Sequence, residues 1–145
     1  MKKNRLTSLF LVLVFTAVLS CGTLRRTPVQ SADATLADSL WTYSLAHQQG
    51  FTLHLATWTQ PQEGIVVAYE ATQDCHERKG LDIVISHAQS HKGYVGGWLD
   101  LTDSLYYFDS VRVFPEDSLS AAISFGKENH QLAIYRLSSE EEIPL

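Results

Sequence analysis

The chain has 145 residues, with eleven Lys and Arg against sixteen Asp and Glu and a formal charge of −5. Three of the basic residues fall in the first twenty, so the remainder holds eight Lys and Arg against sixteen acids, a balance of −8. Such an acidic chain excludes nucleic acid as a partner and peripheral docking on anionic lipid, both of which need clustered Lys and Arg. The length suits one domain around a single core.

Lys2, Lys3 and Arg5 give a positive start, and Leu6 to Val18 is apolar apart from Thr7, Ser8 and Thr16. Leu19-Ser20-Cys21 closes the run with small residues before a cysteine. This three-part order is that of a secretory signal over residues 1–20, and its apolar part is too short to span a bilayer with margin. Val18-Leu19-Ser20-Cys21-Gly22 resembles a bacterial lipobox, with Val18 where such motifs most often carry Leu. The resemblance implies lipidation of Cys21 by palmitate-like chains, export, and a membrane anchor in the envelope, the outer membrane being the expected one. An ordinary cleaved signal and an uncleaved N-terminal anchor are the alternatives. With Cys21 acylated, Cys75 is the one remaining thiol and no intramolecular disulfide can form.

Residues 21–40 are polar and rich in Thr and Ala, which reads as a tether, with the folded domain over residues 41–145. Phe51 to Trp58 alternates with period two and reads as a strand. The turn cluster Gln60-Pro61-Gln62-Glu63-Gly64 then leads to a second strand, Ile65 to Tyr69, and the two are expected to form a hairpin. Leu81, Val84, Ile85 and Ala88 recur at i, i+3, i+4 and i+7, marking one face of a helix that Gly93 ends. Strands follow at Tyr94–Leu99 and Leu105–Phe114, and Pro115-Glu116-Asp117 opens a second helix with negative charge at its positive end. Its inner face is Leu119, Ala122, Ile123 and Gly126, with Asn129 as a left-handed C-terminal cap. Gln131 to Leu137 is a last strand, and Ser138 to Leu145 an acidic tail.

Val84-Ile85-Ser86-His87-Ala88 with its following strand aligns without gaps on Ala122-Ile123-Ser124-Phe125-Gly126 with its own, which suggests an internal strand-helix-strand repeat. The expectation is an α+β domain in the order β-β-α-β-β-α-β. Its sheet is mainly antiparallel, with two helices on one face.

Several segments look familiar together. Gly64-Ile65-Val66-Val67-Ala68-Tyr69 and Thr72-Gln73 precede Gly96-Gly97-Trp98-Leu99-Asp100, Tyr106-Tyr107-Phe108-Asp109-Ser110-Val111, and Asn129 with Gln131-Leu132-Ala133-Ile134. Over about residues 51–143 this resembles a small uncharacterised domain of hypothetical proteins from Bacteroidetes-like bacteria and, more loosely, of phage and mobile elements. The resemblance implies a recurring fold and assigns no activity or catalytic residue.

Gly96-Gly97-Trp98 is the strongest local oddity, since paired glycines in a strand mark a bend or a close backbone approach. Tyr94, Trp98, Tyr106 and Tyr107 could make an aromatic binding surface there. The competing and favoured reading puts Trp98 in the core, with the glycines making room for it. Period-two alternation sets Tyr107, Asp109, Val111 and Val113 on one side of their strand and Tyr106, Phe108, Ser110, Arg112 and Phe114 on the other.

His87 and His91, spaced i, i+4, are the candidate metal ligands, with His76 and Asp100 as further donors. They lie largely off the apolar stripe, so a solvated helix face is the expected role. Cys75 beside His76 lacks an orienting third group, and its acidic neighbours Asp74 and Glu77 oppose activation.

No constellation supplies nucleophile, base and oxyanion donors together. The expectation is a lipid-anchored, non-catalytic binding or interaction module that needs no cofactor and meets a protein partner. Two alternatives stand beside it: a metal-dependent or hydrolytic enzyme using His76, His87, His91 and Asp100, and an acidic inhibitor or immunity-type protein with a basic partner.

Overall fold

A computed structural model describes residues 32–145 of the chain, with side chains from residue 35. The expected signal, the lipidated Cys21 and the first part of the expected tether lie outside the described residues. Helix α1 (Ala32–Ala46) is followed by strands β1 (Phe51–His54) and β2 (Ile65–Ala68), and helix α2 (Glu77–Ser90) by β3 (Tyr94–Asp100) and β4 (Leu105–Phe114). Helix α3 (Leu119–Glu128) then leads to β5 (Ala133–Arg136) and β6 (Glu141–Pro144). The strands form one sheet in the order β1-β3-β4-β2-β5-β6, with every neighbouring pair antiparallel.

The connectivity follows from that order. β2 and β3 are parallel to each other with β4 between them, and α2 connects them. β4 and β5 are likewise parallel with β2 between them, and α3 connects those. Two interleaved split β-α-β units of this kind make a ferredoxin-like arrangement, here extended by β1 at one edge and β6 at the other. The two units coincide with the two segments of the weak sequence repeat. The domain is therefore α+β with an antiparallel sheet, as expected, and the described residues form three α-helices and six strands.

Both crossover helices lie on one face because their apolar stripes need the same sheet surface. Leu81, Val84, Ile85 and Ala88 of α2 are fully buried with Leu53, Val95 and Phe108. Ala122 of α3 is buried in a second cluster with Ile65, Val67, Phe114 and Ile134. α1 completes the first cluster through Ala37 and Leu40, and its Trp41 ring meets Tyr106 edge-on at 5.1 Å. Residues 32–40 of the expected tether are thus helix, with Leu36, Ala37 and Leu40 packed on the domain. The cause is the spacing of Leu36, Ala37, Leu40, Trp41 and Ser44, which brings them to one side of a helix.

The first half of β4 has no strand on its second edge, yet its outward N–H groups are paired. The N–H groups of Tyr106, Phe108 and Ser110 donate to Glu77 Oε1 (2.9 Å), the Cys75 carbonyl (3.0 Å) and Thr72 Oγ1 (2.9 Å). The segment between β2 and α2 therefore acts as a substitute strand that closes the edge.

Four local expectations are corrected. β1 stops at His54, because residues 55–58 turn back through a bridge from His54 to Thr59 and Trp58 adopts φ 56°. β1 and β2 do not form a hairpin: β1 pairs with β3, whereas β2 pairs with β4 and β5. The expected acidic tail contributes β6, since Ile143 and Leu145 pack on the second cluster while Glu141 and Glu142 stay exposed. Asn129 caps α3 through its side chain, donating from Nδ2 to the Phe125 carbonyl at 2.9 Å, but the left-handed residue is His130 (φ 54°).

Candidate functional site

With all three α-helices on one side, the opposite face of the sheet carries no helix; Thr52, Val66 and Val111 on it are buried while Trp98 and Tyr135 are exposed, and strand alternation decides what it displays. The registers place Thr52 and His54 of β1, Tyr94, Gly96 and Trp98 of β3, and Tyr107, Asp109, Val111 and Val113 of β4 on this face. Val66 and Ala68 of β2, Ala133 and Tyr135 of β5 and Glu142 of β6 continue it. The curved surface and the loops around it enclose an open groove of about 610 Å³. Gln49, Gln60, Gln62, Gln131, Glu140 and Glu142 line its sides, and Asp109 lies on its floor.

Trp98 projects into this groove 41% exposed and stacks on Tyr107, with ring centroids 5.4 Å apart and planes within 16°. The His76 ring meets Tyr107 edge-on at 4.3 Å. The Tyr107 hydroxyl donates to Asp103 Oδ2 at 2.7 Å, which holds the Asp103 carboxyl below its ordinary range and raises the Tyr107 phenol. Tyr135, on the far side of the groove, is 40% exposed.

The favoured core reading of Trp98 is thereby corrected. A Cβ at Gly97 would lie 2.7 Å from Phe108 Cδ1 and 2.8 Å from Phe51 Cζ, so this glycine makes room for two core phenylalanines and leaves Trp98 outside. Gly96 lies directly across from Asp109 on the groove side, where a Cβ would meet Val111 Cγ1 at 3.2 Å. Of the four aromatic residues singled out, Tyr94, Trp98 and Tyr107 share the open face. Tyr106 does not: one step out of phase, it is 7% exposed and packs under Trp41.

Asp109 is the residue that sequence reasoning missed. Burial pushes its carboxyl up to about 7, the Thr72 hydroxyl beside it opposes the shift, and Asp74 reinforces it. An acid among Tyr107, Phe108, Ser110 and Val111 in a strand interior was the available signal, because such positions are costly for a carboxylate.

The chain matches no protein family, no curated protein and no solved structure.

The remaining candidates are dispersed. His87 and His91 stack on each other at 3.9 Å beside Tyr69, and His91 Nδ1 lies 2.7 Å from the His87 carbonyl. Burial, with His91 second, lowers the His87 imidazole below its ordinary value. His76 caps the other end of α2, eleven positions from His87, or about 16 Å along the helix axis. Asp100 ends β3, six residues from Tyr94 at the His91 end, or about 20 Å. Among the described residues, no group of three or more His, Cys, Asp and Glu side chains could hold a metal ion. Cys75 is 8% exposed, and burial, Asp109 and Asp74 all push its thiol up, away from nucleophilic form. The groove lining offers an aromatic platform, amides that both donate and accept, and carboxylates, a set suited to holding a ligand.

Proposed function

We propose that the chain is a lipid-anchored envelope protein whose domain is a non-catalytic binding module, using the uncovered face of the sheet. The observation that carries this is Trp98, a large aromatic ring 41% exposed on the wall of a groove and stacked on a second ring. Exposed, pre-ordered aromatic side chains are the usual anchors of binding surfaces, because they bury much area at small entropic cost. The membrane anchor rests on the lipobox-like run ending at Cys21 and on the acidic balance, which leaves acyl chains as the means of attachment.

The enzymatic alternative loses support from the separation of His76, His87, His91 and Asp100. A photo-crosslinking amino acid at position 98, irradiated in intact cells, tests the binding face. Specific adducts from position 98 and none from position 132, where Leu132 is 88% exposed on another part of the surface, are the expected result. Equal labelling from both positions would overturn the assignment. The anchor is tested separately: Cys21→Ser should release the protein into the fraction extracted without detergent.

A further inference from the structure

We propose that the occupant of the groove is an extended polypeptide segment bearing Lys or Arg side chains, one of which places its cationic group between Asp109 and the Trp98–Tyr107 stack. This narrows the binding role above and rests on it.

Charge complementarity selects the ligand class. The groove lining contains Asp109, Glu140 and Glu142, and no Lys, Arg or His. Residues 32–145 as a whole hold six Lys and Arg against sixteen acids. An anionic ligand would find no counter-charge. A second copy of the chain would set these carboxylates against their own equivalents, which is unfavourable for self-association.

The geometry is also specific at Asp109. Asp109 lines the groove while being largely buried, and its cross-strand neighbour Gly96 carries no side chain. The Gly96–Asp109 pair adjoins the Trp98–Tyr107 pair, two residues or about 7 Å along the strands. A guanidinium or ammonium at Asp109 is thus within reach of an aromatic face, where cation–π attraction adds to the ion pair. Asp74, which raises the Asp109 carboxyl, and Asp100 and Asp103 at the end of the hairpin extend the negative field outward.

A second acidic position fixes the spacing. Glu142 pairs with Tyr135, which pairs with Val66, which pairs with Val113, four residues beyond Asp109. Four residues along the strands and three strand spacings across put Glu142 about 20 Å from Asp109. An extended chain advances about 3.3 Å per residue, so the two basic side chains should stand about six positions apart.

The test is an NMR titration of the full chain in detergent with an end-capped heptapeptide, Lys-Ser-Ser-Ser-Ser-Ser-Lys. All-Ser and Glu-Ser-Ser-Ser-Ser-Ser-Glu peptides serve as controls. The expected result is shifts at Gly96, Trp98, Asp109 and Tyr135 with the Lys peptide alone. Asp109→Asn should weaken binding about tenfold, and the exposed Glu142→Gln, which carries no folding burden, about threefold. Equal binding of the all-Ser peptide, shifts confined to other surfaces, or unchanged affinity in both variants would overturn the proposal. So would a concentration-dependent dimer that closes the same face. If the Lys peptide fails while position 98 still crosslinks specifically in cells, the cationic ligand is wrong and the binding face stands.

Discussion

Gly97 of β3 and Phe108 of β4 lie directly opposite each other, and the Phe108 ring occupies the space that any side chain at position 97 would need. Phe108 is 1% exposed and sits between α1, α2 and the sheet. Gly97→Ala should therefore destabilise the domain by about 1–3 kcal/mol, the range for forcing extra carbon into a packed core. Urea unfolding measures this, and an unchanged midpoint would contradict the packing described.

Gly96 is the informative contrast. A Cβ there would meet Val111 Cγ1 at 3.2 Å, on the groove side, with no core ring in the way. Gly96→Ala should cost clearly less stability than Gly97→Ala, because its methyl meets only the edge of Val111 rather than two core rings. The difference between the two unfolding free energies is the quantity to compare.

Asp109 gives the domain a stability profile with a definite sign. Its carboxyl is raised from 3.8 to about 7 in the folded state. Between those values the folded chain holds a proton at this site that the unfolded chain has released. Its contribution is therefore favourable below about pH 4 and is lost as pH rises through about 7. The full loss is on the order of 4 kcal/mol. Asp109→Asn should raise stability relative to the parent at pH 8 and leave little difference at pH 4, as measured by unfolding at both pH values. A constant difference across that window would contradict a raised carboxyl.

Cys75 should be slow to alkylate. Burial comes first among the causes that raise its thiol, followed by Asp109 and Asp74. With iodoacetamide at pH 8, the folded chain should react at least about tenfold more slowly than the urea-unfolded chain at the same thiol. Comparable rates would place the thiol at the surface.

Helix α1 should behave as part of the core. Leu40 is fully buried against the first cluster, so Leu40→Ala should cost about 2–5 kcal/mol. A surface substitution nearby, Ser39→Ala, should cost little. Thermal unfolding of the two variants distinguishes a packed helix from an appended one.

The sequence carried the strongly periodic elements clearly and the weakly patterned ones poorly. Leu81, Val84, Ile85 and Ala88 announced α2, and the alternation from Leu105 to Phe114 gave both the bounds of β4 and its two faces. α1 escaped because its buried side includes the small Ala37 and the polar Ser44, which blur the contrast between faces. β6 escaped because the exposed Glu141 and Glu142 and the breaker Pro144 mask the inward Ile143. Half of the candidate site was legible. Tyr94, Trp98 and Tyr107 share a face as their spacing allows, and the alternation of β4 sets Asp109 on that face and Tyr106 on the other. Tyr135 and the glutamines arrive from loops and from a distant strand. The order β4-β2-β5 carries Tyr135 onto the same face as Asp109, and strand order is long-range information that local pattern does not hold.

The most direct test of the uncovered face as the working surface is hydroxyl-radical footprinting of intact cells against purified protein. Trp98 and Tyr135 should be oxidised readily in isolation and protected at least about fivefold in cells. Trp58, 39% exposed and absent from the groove lining, should react alike in both. Equal oxidation of Trp98 and Tyr135 in cells and in isolation would contradict the account.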